Sequence, residues 1–171
     1  MDGRFGSATA RTTIAASASL SPFNAFLILT GIETLPLRMQ RHCDNAQIVA
    51  EWLAGNKNIA WVSYPGLPND KYHSLAKKYV PKGAGAVFTI GLKGGYEAGV
   101  KLVSEVKMFS HLANIGDTRS LIIHPASTTH KQLSDAQKVQ AGAGPDVVRL
   151  SIGLEDPADI IADLEQALAV G

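Results

Sequence analysis

An arginine inside an otherwise apolar, β-like run has the clearest chemical potential in this sequence. Arg149 lies in the string VVRLSI, residues 147–152. A partly buried guanidinium needs a partner, and its planar fork matches a carboxylate through two parallel hydrogen bonds. That carboxylate belongs either to a substrate or to the protein itself, as Asp117, Glu155 or Asp159. Placement on an exposed strand face is a further alternative, and the sequence leaves all of these open.

The histidines suggest structural roles. His124 and His130 flank the string HPASTTH, and two imidazoles on one loop can reach a single metal ion. The string contains no Cys, Asp or Glu, and its spacing is neither helical nor that of a zinc finger, so hydrogen bonding is favoured and no metal site is expected. His42 falls on the apolar face of a predicted helix, which favours a core or interface position.

Other catalytic signatures are absent from the sequence. The G-x-S-x-G pattern of a nucleophile elbow does not occur, and Ser120 is near His124 only in sequence. The glycines form neither G-x-x-x-x-G-K-[ST] nor G-x-G-x-x-G, the patterns that bind nucleotide phosphates. The residues alone therefore indicate neither a hydrolase nor a nucleotide-binding enzyme.

The elements that must position these residues follow from the hydrophobic pattern. Apolar positions spaced by three and four predict a helix from Ser21 to Gly55 with a kink at Pro36, and Asp156-Pro157 predicts the start of a last helix. The remaining pattern predicts helices at 70–79 and 96–106 and strands at 58–64, 85–92, 107–109, 120–123 and 147–152. This order predicts an α+β fold of about five short strands and four helices, with one sheet and helices on one face.

The composition narrows the class of protein. The chain has 171 residues and 46% hydrophobic residues, enough for a substantial core. Sixteen Lys and Arg balance 15 Asp and Glu, so no basic patch indicates nucleic acid. A single cysteine, Cys43, excludes an internal disulfide and suits a reducing compartment, so we expect a cytoplasmic protein. Residues 12–32 lack charge, but Ser, Thr, Asn and Pro interrupt them, so no membrane span is expected.

Four long strings occur in the chain in a distinctive order: SPFNAFLILTGIETLPLRMQRHCDNA, SYPGL, FSHLANIGDTRSLIIHPASTTH and VVRLSIGLEDPADIIADLEQAL. Together they resemble the carboxy-terminal domain of the O-acetylhomoserine sulfhydrylases, in the Cys/Met-metabolism family of pyridoxal-phosphate enzymes. The segment SHLANIGDTRSL resembles the sulfhydrylase branch more than the cystathionine lyases. The resemblance runs from about residue 19 to residue 168, so residues 1–18 are predicted to be a divergent, flexible leader and residues 19–171 the carboxy-terminal domain.

The resemblance implies a small α/β domain, with helices against a mostly antiparallel sheet, that closes over a cofactor held by a larger preceding domain. In that family the arginine corresponding to Arg149 grips the substrate α-carboxylate, and the serine corresponding to Ser120 lies beside it. Asn114 stands where related lyases have a serine near the cofactor. The string that ends in Thr128, Thr129 and His130 is expected to shape a loop.

The cofactor-binding parts of the family are not recognisable in this sequence. The family holds pyridoxal phosphate on a Schiff-base lysine in an S-x-T-K-like motif of the large domain, and none of the ten lysines here follows such a motif. We therefore expect no catalytic and no cofactor-binding residue in this chain, and no activity from it alone. Pyridoxal phosphate is expected only in the parent enzyme.

Two functional hypotheses follow. In the first, the chain is the substrate-closing domain of a sulfhydrylase that converts O-acetyl-L-homoserine and sulfide or a thiol to homocysteine or methionine and acetate. In the second, it is a non-catalytic remnant that acts as a binding or oligomerisation module. The expected partners are the large cofactor-binding domain or an intact relative, a small amino-acid substrate, and further copies in a homo-oligomer.

Overall fold

The computed structural model describes residues 20–169, which form six α-helices, one 3-10 turn and five β-strands. In chain order these are α1 (Pro22–Glu33), α2 (Leu35–Ala54), β1 (Ile59–Ser63), α3 (His73–Tyr79), β2 (Val87–Leu92), α4 (Gly95–Glu105), β3 (Ser110–His111), β4 (Leu121–Ile123), the 3-10 turn (Pro125–Ser127), α5 (Asp135–Gln140), β5 (Val147–Ser151) and α6 (Pro157–Ala169). The described residues divide into two compact units, one ending at Pro36 and one beginning at Leu37. The predicted leader, residues 1–18, lies outside the described residues.

The predicted single kinked helix is two helices. Ser21 caps α1, its side chain accepting a hydrogen bond from the Asn24 amide, and the helix ends at Glu33. Pro36 lies in the first turn of α2, where its missing N–H has no helical acceptor to lose. Pro36 therefore does not kink a continuous helix, because a second helix begins at the residue before it.

Within residues 20–169, no helix has the length and apolar character required to cross a membrane.

The five strands form one mixed sheet in the order β1-β2-β5-β4-β3. The pairings β1/β2, β2/β5 and β5/β4 are antiparallel, which confirms the mostly antiparallel sheet. The exception is β3, which pairs parallel to β4. Parallel neighbours require a connection that returns along the sheet, so residues 112–120 must run back from the end of β3 to the start of β4.

The two faces of the sheet differ in character. The register aligns Phe88 with Leu150 and Ile90 with Val148, and these buried residues form one core with the helices. The helices contribute apolar residues from α2, α4 and α6, among them Val49, Leu53, Leu102 and Leu164. Because side chains alternate along a strand, Arg149 lies on the opposite face.

Side chains distant in sequence shift some predicted boundaries. The strand predicted at 107–109 is observed at Ser110–His111, because the amides of Lys107 and Met108 donate to the Asp163 carboxylate of α6, at 2.9–3.1 Å, instead of to a strand. Helix α3 begins at His73, later than the predicted residue 70. The short helix α5 was not predicted, although its capping box of Ser134 and Gln137 is a recognised helix-start signal.

Tyr64 provides a test of the packing between α2 and β1. Its ring is buried in the core, and its hydroxyl donates to the Gly85 carbonyl at 2.9 Å. Burial above all, with the charges of Cys43 and Asp44, raises the pKa of Tyr64 well above its usual value. The unfolded chain ionises this phenol from about pH 10 while the folded chain does not, so the free energy of unfolding falls as the pH rises above that value.

Tyr64→Phe is therefore expected to lower the free energy of unfolding by about 1 kcal/mol at pH 7, because a hydrogen bond is lost. The same variant is expected to lose stability less steeply than the unaltered protein above about pH 10. Urea denaturation at a series of alkaline pH values measures both effects. Parallel pH profiles for the two proteins would contradict this assignment of Tyr64.

Candidate functional site

Arg149 occupies the middle of β5, the central strand of the sheet. It is aligned with Thr89 of β2 on one side and with Ile123 of β4 on the other. Its side chain is half-buried, and its Nη2 atom donates to the backbone carbonyl of Asn114 at 3.4 Å, a long hydrogen bond. Within residues 20–169, the Asn114 carbonyl is the one hydrogen-bond partner of this guanidinium.

None of the three protein carboxylates considered as partners pairs with Arg149. Asp117 pairs with Arg119, with 3.3 Å between its Oδ1 and the Arg119 Nε. Glu155 accepts hydrogen bonds from Ser120, and Asp159 is exposed in the first turn of α6. Within residues 20–169, Arg149 therefore has no ion pair.

A narrow cleft adjoins Arg149, and in this structure it is too small to admit a water molecule, so it is a shallow feature of the surface and not a preformed pocket. The return loop, residues 112–120, covers the open face of the sheet here, and its first residues form one wall. The cleft is lined by Leu112, Ala113, Asn114, Leu121, Ile123, Arg149 and Ser151. Among the described residues that line this cleft Arg149 is the only charged one, and its guanidinium is the group there that would attract a carboxylate.

Asn114 is exposed, and its own side chain stabilises the return loop. The Asn114 Oδ1 atom accepts a hydrogen bond from the Ile115 amide at 2.8 Å. Farther along the loop, hydrogen bonds from the Arg119 backbone amide and then from its side chain hold the pKa of Asp117 below its usual value. The structure thus brings Asn114 and Arg149 together through the asparagine backbone carbonyl, whereas the position of Asn114 near the cofactor, which the resemblance implied, stays a prediction.

Ser120 is completely buried at the end of the return loop. Its amide and its hydroxyl donate to the two carboxylate oxygens of Glu155, at 2.7 and 2.9 Å, and its hydroxyl accepts from the Gly153 amide at 2.9 Å. The hydroxyl is thus bonded within the protein. A direct contact between Ser120 and a substrate stays a prediction.

Glu155 and Asn45 hold Ser120 and the segment after β5 in place, a role that the sequence analysis did not predict for either residue. Asn45 of α2 donates from Nδ2 to the carbonyls of Gly153 and Glu155, at 3.0 and 2.7 Å, and His42 contacts the Ile152 carbonyl through Nδ1 at 2.7 Å. These contacts hold the segment after β5 on helix α2. The one signal in the sequence that could have pointed to Glu155 is that it lies in the same family-like string as Arg149.

The histidines are occupied by structural contacts. His124 is buried, with Nδ1 2.9 Å from the Ser127 hydroxyl and Nε2 2.8 Å from the Pro145 carbonyl, so neither nitrogen faces a metal site. His130 contacts Thr129 through Nδ1 at 2.8 Å, and its amide donates to Pro125. Thr128 donates to the His124 carbonyl at 2.8 Å. These contacts are consistent with a string that shapes a loop.

Comparisons with known proteins show the family of this chain. Residues 4–169 match the family of Cys/Met metabolism PLP-dependent enzymes. This chain belongs to that family. The match begins within the segment predicted to be a divergent leader, so the family resemblance extends closer to residue 1 than the quoted strings indicated, and the domain boundary at residue 19 stays a prediction.

Individual relatives of this family member have sulfhydrylase or synthase names. The chain is 54% identical over 151 residues to an O-acetyl-L-homoserine sulfhydrylase of Thermus thermophilus and 49% identical over 150 residues to a homocysteine synthase of Schizosaccharomyces pombe. These matches cover 88% of this chain but 36% and 35% of the two relatives. The chain therefore spans about a third of the length of the curated relatives it matches.

A solved structure has the same fold. The crystal structure of a putative O-acetylhomoserine (thiol)-lyase from Campylobacter jejuni, which carries a pyridoxyl-lysine phosphate group, superimposes with a TM-score of 0.83 and 42% sequence identity. The superposition covers 92% of this chain and 39% of that one. The α/β fold with a five-stranded mixed sheet is thus the fold of part of a pyridoxal-phosphate enzyme.

The described residues of this chain do not by themselves fit pyridoxal phosphate. The cofactor requires a lysine that forms the Schiff base, and the cleft at Arg149 contains neither a lysine nor a carboxylate for the pyridine nitrogen. No lysine within residues 20–169 is buried. That this chain contributes no cofactor-binding residue stays a prediction.

Proposed function

We propose that this chain is the substrate-closing carboxy-terminal domain of an O-acetylhomoserine sulfhydrylase, in which Arg149 binds the substrate α-carboxylate. The observation that carries the proposal is a half-buried guanidinium that has no ion pair within residues 20–169 and lies at a narrow cleft whose other described lining residues are uncharged. The family membership and the names of the relatives supply the reaction. The substrate is O-acetyl-L-homoserine, and sulfide or a thiol replaces its acetate group.

The residues of the site have different roles in substrate binding under this proposal. Arg149 orients the amino acid through two parallel hydrogen bonds to its carboxylate, and Asn114 forms the wall beside it. Ser120 supports that wall from the buried side. Bond making and breaking at the reacting carbon is assigned to the remainder of the enzyme, which holds pyridoxal phosphate. A cytoplasmic location and a homo-oligomer belong to the same proposal.

The test is an assay of homocysteine formation from O-acetyl-L-homoserine and sulfide. The protein purified from its native cells is expected to catalyse the reaction, and its intact mass shows what else the polypeptide contains. The 171-residue chain alone, supplied with pyridoxal phosphate, is expected to form no homocysteine above the uncatalysed rate. A native protein that binds pyridoxal phosphate but leaves O-acetyl-L-homoserine unchanged would refute the proposed reaction.

A second candidate function is that of an interaction module, and helix α1 favours it. The helix has no buried residue, and large apolar side chains are exposed along it, among them Phe23, Phe26, Leu27, Ile28 and Leu29. A helix that is apolar around its circumference is usually buried against protein. Under this alternative the chain binds an intact relative or itself and adds no catalysis, so a native protein inactive in the assay would favour it.

A further inference from the structure

We propose that Glu155 is a positioning residue for Arg149, acting through Ser120 and the return loop of residues 112–120. The inference rests on the proposed function, because it takes Arg149 as the group that binds the substrate carboxylate. It also gives Ser120 a role as the buried link between the two, in place of a substrate contact.

The first step is the chain of hydrogen bonds at Glu155. Its Oε1 accepts from the Ser120 amide at 2.7 Å and its Oε2 from the Ser120 hydroxyl at 2.9 Å. That hydroxyl accepts in turn from the Gly153 amide at 2.9 Å. One backbone bond, from the Leu154 amide to the Thr118 carbonyl at 2.8 Å, runs alongside. The Glu155 carboxylate thus bridges the segment after β5 and the return loop through hydrogen bonds.

The second step is the connection from Ser120 to Arg149. Strand β4 has only three residues and begins immediately after Ser120, so this serine is the last anchor of the return loop before the sheet. The other end of the loop contains Asn114, whose carbonyl is 3.4 Å from the Arg149 guanidinium and which lines the cleft. Movement of the loop end at Ser120 therefore changes the wall that orients Arg149.

The backbone of Glu155 is fixed by side chains of helix α2. Asn45 of α2 donates to the Glu155 carbonyl at 2.7 Å and to the Gly153 carbonyl at 3.0 Å, and Arg41 Nη2 lies 3.4 Å from the Glu155 carbonyl. Asn45 is fully buried, so these bonds are shielded from water. The carboxylate extends from a fixed backbone, which is what a positioning residue requires.

The chemistry of the link favours a glutamate. An ionised carboxylate accepts at both oxygens, and Ser120 presents two donors to it. The side chain of Glu155→Gln has one oxygen and a donor amide, so one of the two Ser120 groups loses its acceptor. Ser120→Ala removes the hydroxyl and leaves the Gly153 amide without its partner.

The experiment is steady-state kinetics of the intact enzyme that contains this chain, with O-acetyl-L-homoserine varied. Glu155→Gln is expected to raise KM about tenfold and to change kcat less than threefold, because the carboxylate site is misoriented. Glu165→Gln, on the exposed side of α6, removes the same charge and is expected to leave both constants unchanged. The Glu155→Gln, Ser120→Ala double variant is expected to be no worse than the more impaired single variant.

A purely structural role for Glu155 gives a different result. It lowers the amount of folded enzyme, so kcat per total protein falls while KM keeps its normal value. That outcome would overturn the positioning role, as would a double variant whose losses multiply.

A second readout separates this inference from the proposed function. Hydrogen exchange of the Ser120 and Leu154 amides, which donate to Glu155 and to the Thr118 carbonyl of the return loop, is measured on the same enzyme without substrate. It is expected to be at least about tenfold faster in Glu155→Gln, with exchange in α6 unchanged. This holds even if the unaltered enzyme forms no homocysteine, a result that would reject the reaction alone. Unchanged exchange in the return loop would reject the role of Glu155.

Discussion

Arg149→Ala is expected to reduce kcat/KM for O-acetyl-L-homoserine by about 100-fold, or about 3 kcal/mol. The reason is that, under the proposed function, the substrate carboxylate loses a charged partner and two parallel hydrogen bonds at a half-buried arginine. Both a higher KM and a lower kcat are expected, because a substrate without its anchor is also misaligned at the reacting carbon. Steady-state kinetics of the intact enzyme measures this change.

Two further variants separate the effect of the Arg149 guanidinium from an effect of net charge. Arg149→Lys keeps the charge but lacks the planar fork, so its activity is expected to lie between that of the unaltered enzyme and that of Arg149→Ala. Lys131→Ala removes one positive charge from an exposed position outside the cleft and is expected to have normal kinetics. Equal losses in Arg149→Ala and Lys131→Ala would show that the enzyme responds to net charge and not to the site.

Gly153→Ala is expected to lower the free energy of unfolding by about 2–3 kcal/mol. A Cβ atom at Gly153 would lie 2.5 Å from the Arg119 carbonyl carbon and from the Ser120 amide nitrogen, and it would also meet the Glu155 carboxylate. Two of these neighbours are backbone atoms, which cannot rotate away. The return loop must therefore separate from the segment after β5.

The control for this variant is Gly55→Ala, whose added Cβ has only the Trp52 carbonyl oxygen nearby, at 3.6 Å. A change within about 0.5 kcal/mol is expected there. Urea denaturation of both variants gives the comparison. Equal denaturation midpoints for the two would show that the close approach at Gly153 is not needed for stability.

The sequence predicted the elements whose signals are local. Alternation of three and four residues located the core faces of α2 and α6, and a β-like run containing one arginine located Arg149 at the sheet. These signals depend on neighbours within a few turns of the chain. The α+β arrangement followed from the order of such elements, whereas the mostly antiparallel sheet was implied by the family resemblance.

The parts that the sequence did not predict depend on partners far along the chain. Ser120 and Glu155 are 35 residues apart, and Lys107 and Asp163 are 56 apart, so no local pattern relates them. The start of β3 at Ser110 goes with the Asp163 contact, in which the preceding amides donate to a side chain 56 residues away. Arg149 illustrates both cases, because its position was predictable while the absence of a carboxylate partner within residues 20–169 required the structure.

The central claim, that Arg149 binds the substrate α-carboxylate, is tested most directly by changing the substrate and the residue together. The measurement is kcat/KM for O-acetyl-L-homoserine and for its α-carboxamide, with the unaltered enzyme and with Arg149→Ala. The unaltered enzyme is expected to prefer the carboxylate by about 100-fold, and Arg149→Ala by less than about threefold. If Arg149→Ala retains the full preference for the carboxylate, another group binds it and the account is wrong.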